Sequence, residues 1–254
     1  MTGRIEAVLV CGGSWHDFDY ARLCLLTELG AHDRVRTRVY QDYDCLADLA
    51  EADLLITYTC NRVPSAEQRA ALTAFVAGGG RWLALHGTNS AIEPLGPQRF
   101  ATPRSLGELA AVLGSQFLGH PPVGPYRVEL TEPGHPLVRG LTPFEVTDEL
   151  YISELHPPLR VLAHTRYVGD APGFEEGHTS TDEPRPVLYL KELGAGTVCY
   201  LTLGHCRGRF DLQDLGVADL GVTDRGSWEV TEYRAILRRC LNWAVTGEFS
   251  DAAE

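Results

Sequence analysis

Three histidines stand where an apolar run gives way to a turn. They are His16 in the stretch GGSWHD (12–17), His86 in HGTN (86–89) and His205 in GHC (204–206). Imidazole gains and loses a proton near neutral pH, and its neutral ring nitrogen also ligates zinc. Histidines that converge could therefore do acid/base work or hold a divalent ion. His86 ends an apolar run and precedes a glycine, the arrangement of a nucleophile elbow. Because the residue is His rather than Ser or Cys, a covalent acyl intermediate on it is not expected. For His86 and His205 the alternative to function is a strand-end histidine bonded to a neighbouring loop. His120 (FLGHPPVG) and the acids Asp148 and Glu149, followed by Tyr151, form a second group. Adjacent acids there read equally as a solvated turn or a helix cap. His135 precedes a proline in a turn, and His32, His156, His164 and His178 have no supporting context.

These residues need elements to bring them together. Residues 4–11 and 53–59 are apolar runs without polar alternation, as expected of strands covered on both faces, with a weaker strand at 37–40 and another at 81–86. Residues 20–29 form a helix with Leu23, Leu26 and Leu29 along one side. Ser65 and Gln68 make a capping box that opens a helix ending at Gly78–Gly80, and Ser105 with Glu108 opens another that ends near Gly114. Strand–helix alternation predicts an α/β fold: a flavodoxin-like, open, mostly parallel sheet with helices on both faces. From about residue 124 the runs at 126–131, 144–147, 159–165, 186–190 and 197–203 are separated by Pro/Gly turns, which predicts an antiparallel extension. A final helix over 228–245 caps one face. One domain is expected over 1–254, with 247–254 a frayed tail, and 169–186 is a polar loop that is either a lid or a surface excursion. Ligands of an open parallel sheet bind outside the carboxyl ends of its strands. That edge collects His16, Asn61 (in CNR, 60–62), His86 and His205.

Composition narrows the function. The chain has 254 residues and a net charge of −12, so nucleic acid and anionic membranes are not expected partners. No apolar run approaches the roughly 20 residues of a membrane span, the N-terminus lacks a signal-peptide pattern, and a cytoplasmic location is expected. The seven cysteines have no CxxC spacing, which excludes a zinc ribbon or thioredoxin motif. Neither Gly12–Gly13 nor Gly78–Gly80 matches a P-loop or GxGxxG, so no nucleotide cofactor is expected.

Taken in order, GGSWHDF (12–18), ADLLITYT (52–59), SAEQRAALTAFVAGGGRWLALHG (65–87), GSQFLGHPPVGPYRVEL (114–130), GHPLVRGL (134–141), FEVTDELY (144–151), GAGTVCYLTLGH (194–205) and LNWAV (241–245) resemble the ThuA-like (trehalose-utilisation) family, whose fold is that of class I glutamine amidotransferases. The resemblance implies that His86 stands in place of the amidotransferase cysteine and His205 in place of that triad's histidine. It also implies that His120, Asp148, Glu149 and Tyr151 face the same pocket. Glutamine hydrolysis is then not expected, since the thiolate is missing, unless Cys60 or Cys206 is a displaced nucleophile.

The resemblance further implies carbohydrate metabolism, expected here as isomerase, lyase or hydrolase chemistry on a neutral sugar or keto-sugar. His86, His205, Asp148 and Glu149 are the expected catalytic residues, and His16, Asn61, His120 and Tyr151 the expected substrate contacts. In a metal version, His86, His120 and His205 with a carboxylate bind zinc or a similar divalent ion. The competing class is a non-catalytic sugar-binding or assembly module on the same fold. A homo-oligomer is left open.

Overall fold

The computed structural model describes residues 3–249; the last five residues of the expected frayed tail lie outside them. The first half alternates as β1 (Ile5–Gly13), α1 (Phe18–Gly30), β2 (Val35–Tyr40), α2 (Leu46–Leu49), β3 (Leu54–Cys60), α3 (Ala66–Ala77) and β4 (Arg81–Leu85). The capping box at α3 forms as the sequence predicts, with Ser65 Oγ accepting from the Gln68 N–H and the Gln68 side chain accepting from the Ser65 N–H. The second half runs β5 (Glu93–Gly96), β6 (Arg99–Ala101), α4 (Leu109–Leu113), β7 (Ser115–Gly119), β8 (Gly124–Leu130), β9 (Phe144–Asp148), β10 (Ile152–Leu155) and β11 (Arg160–Arg166). It closes with β12 (Gly169–Asp170), β13 (His178–Thr179), β14 (Pro184–Leu193), β15 (Gly196–Leu201) and α5 (Thr231–Thr246).

The main sheet has nine strands in the order β2-β1-β3-β4-β15-β14-β11-β8-β9. Pairing is parallel from β2 through β15 and antiparallel from β15 to β9, so the last long strand is the seam between two halves. Side chains alternate across the buried strands. Leu54, Ile56 and Tyr58 of β3 face the core shared with α1 and α5, whereas Leu55 faces the core shared with α3 and the α4 region. Both faces of the sheet are thus covered.

Three small two-stranded pairs, β7–β10, β5–β6 and β12–β13, were not apparent in the sequence. They stand over the carboxyl edge of the parallel half and build the walls of the site. Chain order reverses between β1 and β3, which makes the crevice between their carboxyl ends the switch point where such sheets bind ligands. Among the described residues, no helix is long and apolar enough to cross a membrane.

Candidate active site

The elbow at His86 forms as the sequence suggests. The residue leaves β4 with φ 47° and opens a single 3₁₀ turn. A Cβ on Gly87 would stand 2.6 Å from the Thr59 carbonyl oxygen and 3.0 Å from the Cys60 Cβ, so only glycine lets the turn pack on the end of β3. Trp15 (φ 68°), Asn61 (φ 55°) and Gln98 (φ 57°) are the other non-glycine residues with positive φ among the described residues. All four lie around one crevice, and backbone of this kind tends to collect at functional sites.

His16, His86, Glu149 and His205 are all buried, and one ligand atom from each lies within 4.8 Å of the others. His86 Nδ1 lies 2.8 Å from the Thr202 carbonyl oxygen and His16 Nδ1 lies 3.1 Å from the Ser14 carbonyl oxygen. A carbonyl can only accept, so both Nδ1 atoms carry a proton, and in the neutral rings both Nε2 atoms present lone pairs. Those two Nε2 atoms are 2.9 Å apart. Two lone pairs at that distance repel unless a proton or a cation lies against both. Burial first, and the neighbouring histidines after it, push the His16 pKa down to about 4 despite Glu149, a shift that disfavours a second proton on His16 itself.

Glu149 is the hub. Its Oε2 lies 3.3 Å from His86 Nε2 and 3.7 Å from His16 Nε2, and its Oε1 lies 3.0 Å from His205 Nδ1, 3.6 Å from His120 Nε2 and 3.3 Å from Arg207. Burial works against its charge, but His120, His205 and His16 outweigh it and hold the carboxyl well below the usual range. Burial likewise opposes a charged His205, and Glu149, Asp224 and Asp148 overcome it to hold the ring up at about 10. Neither nitrogen of His205 has a partner in hydrogen-bonding geometry, although Asp224 Oδ2 stands 3.3 Å behind Nε2. A carboxylate behind a ring whose other nitrogen faces inward is the usual support of a metal-ligating histidine.

Asp148 and Glu149 are not a solvated turn. Asp148 turns away from the histidines, and its carboxylate accepts from the backbone N–H groups of Glu149 (2.7 Å), Gly204 (3.1 Å), His205 (3.2 Å) and Ser227 (3.4 Å). It thereby pins the end of β9 to the loop that carries His205. Asn61 also braces backbone: its Oδ1 accepts from the Ile92 N–H at 2.7 Å. Tyr151 and His120 line the cavity, where the β7–β10 ladder sets them beside Phe117. His120 Nδ1–H donates to the Pro121 carbonyl at 2.7 Å, which leaves Nε2 facing Glu149 and the cavity. The geometry groups His16, rather than His120, with His86, His205 and Glu149.

Sequence reasoning missed Asp224 and Arg207, which sit in irregular chain, and the ring-bearing walls Phe100 and Phe174. Cys60 lines the cavity, but burial pushes its thiol up to about 12, and burial does the same to Cys206. A displaced thiolate nucleophile therefore has no support. The cavity holds about 1210 Å³, and Arg207 is the one cation lining it among the described residues. That cation is engaged by Glu149 and by the Trp15 carbonyl. Arg62, the cation the sequence places nearest, lines a different hollow.

Comparison with known proteins agrees with this architecture. The ThuA family profile, described as trehalose utilisation, matches residues 7–216. A ThuA-like protein from Parabacteroides merdae is 18% identical, with 99% of this chain and 92% of that one aligned at a TM-score of 0.64. A ThuA-like protein from Bacteroides uniformis is 15% identical over 98% and 94% of the two chains, also at 0.64. A GMP synthase component from Thermoplasma acidophilum aligns at 0.51 and 12% identity over 97% of each chain, a likeness of fold. No curated protein matches in sequence.

Proposed function

Since the chain belongs to the ThuA, or trehalose-utilisation, family, we propose that it is a metal-dependent enzyme of carbohydrate use. It would perform acid/base chemistry on a neutral sugar or keto-sugar, giving isomerisation, elimination or hydrolysis. The observation that carries this reading is the convergence of buried ligand atoms from His16, His86, Glu149 and His205 within 4.8 Å of one another, the two Nε2 atoms of His16 and His86 being 2.9 Å apart. The donor set suits zinc or a similar divalent ion: three imidazoles and one carboxylate, with His205 giving up its proton as the ion takes its place. His16 and His86 would ligate through Nε2, His205 through Nδ1 and Glu149 through its carboxylate.

Such an ion supplies Lewis-acid polarisation of a carbonyl or hydroxyl oxygen on the cavity floor. The chain's own residues do the rest. His120 Nε2, with its tautomer fixed by the Pro121 carbonyl, takes a proton from the hydroxyl-bearing carbon next to the sugar carbonyl and returns it to the former carbonyl carbon, while the hydroxyl proton passes to the former carbonyl oxygen, so that ketone and alcohol exchange places. Arg207, held by Glu149 and the Trp15 carbonyl, can donate to a sugar hydroxyl without demanding a charged substrate. Asp148 keeps the His205 loop in place. A neutral substrate also suits a cavity with no uncommitted cation, because phosphorylated sugars usually recruit several.

Two measurements test the reading. Protein purified without a histidine tag should carry close to one equivalent of a transition metal, reduced at least tenfold in the His86→Ala variant. The metal-loaded protein should exchange solvent deuterium into the carbon next to the carbonyl of a keto-sugar, and His120→Gln should abolish that exchange while leaving metal content intact. Less than about a tenth of an equivalent of metal, with exchange surviving chelation, would overturn the metal assignment. Unchanged turnover in both variants would overturn the catalytic one.

A further inference from the structure

The cavity changes character with depth. Its floor is polar, with His16, His120, Glu149 and Arg207 converging. Its outer wall is a run of rings in mutual contact. Trp15 lies 5.9 Å from Phe100, Phe100 lies 5.5 Å from Phe174, Phe174 lies 5.3 Å from Phe117, Phe117 lies 4.7 Å from Tyr151, and Tyr151 reaches His86 at 5.0 Å. The belt thus joins the mouth to the histidines without a break.

The wall is held by backbone rather than by loose side chains. The Phe100 N–H donates to the Gly173 carbonyl at 2.8 Å, and the Glu175 N–H donates to the Phe100 carbonyl at 3.1 Å. This joins the β5–β6 hairpin to the 170–177 segment. Trp15 is fixed at both ends, its indole N–H donating to Asp214 at 2.9 Å and its carbonyl accepting from Arg207 at 3.0 Å.

One sugar ring would leave most of 1210 Å³ unfilled, since that volume exceeds the roughly 300–1,000 Å³ typical of pockets for drug-sized ligands. A second sugar ring could stack on the belt, but its hydroxyls also need partners. The outer wall offers the side chains of Gln98 and Asp214, and Asp214 is already engaged by the indole. Desolvated hydroxyls without partners cost binding, whereas a flat apolar group gains from every ring it covers.

We propose that the substrate is an amphipathic glycoside whose sugar ring itself carries the carbonyl that His120 works beside, with that ring on the histidine floor and an aromatic or other flat apolar aglycone along Trp15, Phe100 and Phe174. This rests on the carbohydrate reading above and narrows it, placing disaccharides second.

Dissociation constants for methyl glucoside, phenyl glucoside, 2-naphthyl glucoside, trehalose and free 2-naphthol, measured by calorimetry on the metal-loaded protein, test it. Phenyl glucoside should bind at least about tenfold more tightly than methyl glucoside, and naphthyl more tightly still. Phe174→Ala and Phe100→Leu should each remove most of that gain and leave methyl glucoside unchanged. Equal binding of methyl and phenyl glucoside, or trehalose as tight as phenyl glucoside, overturns the aglycone proposal and leaves the carbohydrate reading standing. Binding of 2-naphthol alone, or of none of the five, overturns both. The ligand series on the unmodified protein decides the matter even where a variant fails to fold.

Discussion

Asp148→Asn separates a carboxylate that does chemistry from one that holds the chain in place. In the native site Oδ1 accepts from the Glu149 N–H, Oδ2 accepts from the Gly204 and Ser227 N–H groups, and the His205 N–H lies 3.2–3.3 Å from both. An asparagine keeps one oxygen and turns an NH₂ toward the other set, so donor faces donor. Keeping the shorter contact, to Glu149, strands the amides of Gly204 and Ser227, and both residues' surroundings are buried. An unsatisfied buried donor costs about 1–3 kcal/mol, so the two together should cost about 2–6 kcal/mol. For a chain of this size that is roughly 4–24 °C in Tm. Urea titration followed by circular dichroism should show the midpoint falling with the slope unchanged. Metal affinity should weaken with it, because Gly204–His205 is the segment released. A loss under about 1 kcal/mol, with full metal content, would refute the assignment of Asp148 as an anchor of backbone.

Other outcomes follow from the same contacts. Gly87→Ala should cost about 1–3 kcal/mol, because the added methyl meets the Thr59 carbonyl and the Cys60 Cβ; a thermal melt matching the parent would contradict the elbow. Iodoacetamide at pH 8 should modify the half-buried Cys24 and spare Cys11, Cys45, Cys60 and Cys206, whose thiols burial pushes up to between about 11 and 12; rapid labelling of Cys60, read by mass spectrometry, would reopen thiolate chemistry. Arg104→Ala should speed hydrogen exchange across 170–177, since Arg104 ties Glu176 and Glu154 together. The Glu176 carboxyl is held low chiefly by Arg104, so this tie is complete above the ordinary carboxyl value and is lost as the pH falls through the lowered folded one. Acid should therefore mimic the variant, and exchange indifferent to both would contradict the tie.

Much of the fold was legible because its parallel half obeys local rules. Apolar runs without alternation marked β1, β3 and β4, and the Ser65–Gln68 box marked α3 to within a residue. The strand-end rule then collected His16, His86 and His205 at one edge, where they do meet. Short elements carry too little periodicity to announce themselves. β7 and β10 are five and four residues long, and they set the rings and His120. Glu149 could not be told from a surface acid, because its burial comes from residues distant in sequence. The same holds for Asp224, which reaches His205 through an isolated bridge with Arg207.

The seam strand has a consequence for biosynthesis. β15 pairs with β4 in the middle of the sheet, Thr197 opposite Arg81 and Leu201 opposite Leu85, yet more than a hundred residues separate them. At ordinary elongation rates the ribosome takes on the order of ten seconds to deliver the partner. Throughout that interval Trp82, Leu83, Ala84 and Leu85, all fully buried in the finished protein, form an unpaired apolar edge, the kind of surface that nucleates aggregation. His16, His86, Glu149 and His205 assemble only when that gap closes, because His205 arrives four residues after β15. A chain truncated before residue 201 should therefore aggregate more readily than the full chain and retain no high-affinity metal, because the insertion of β15 both closes the sheet and completes the cluster.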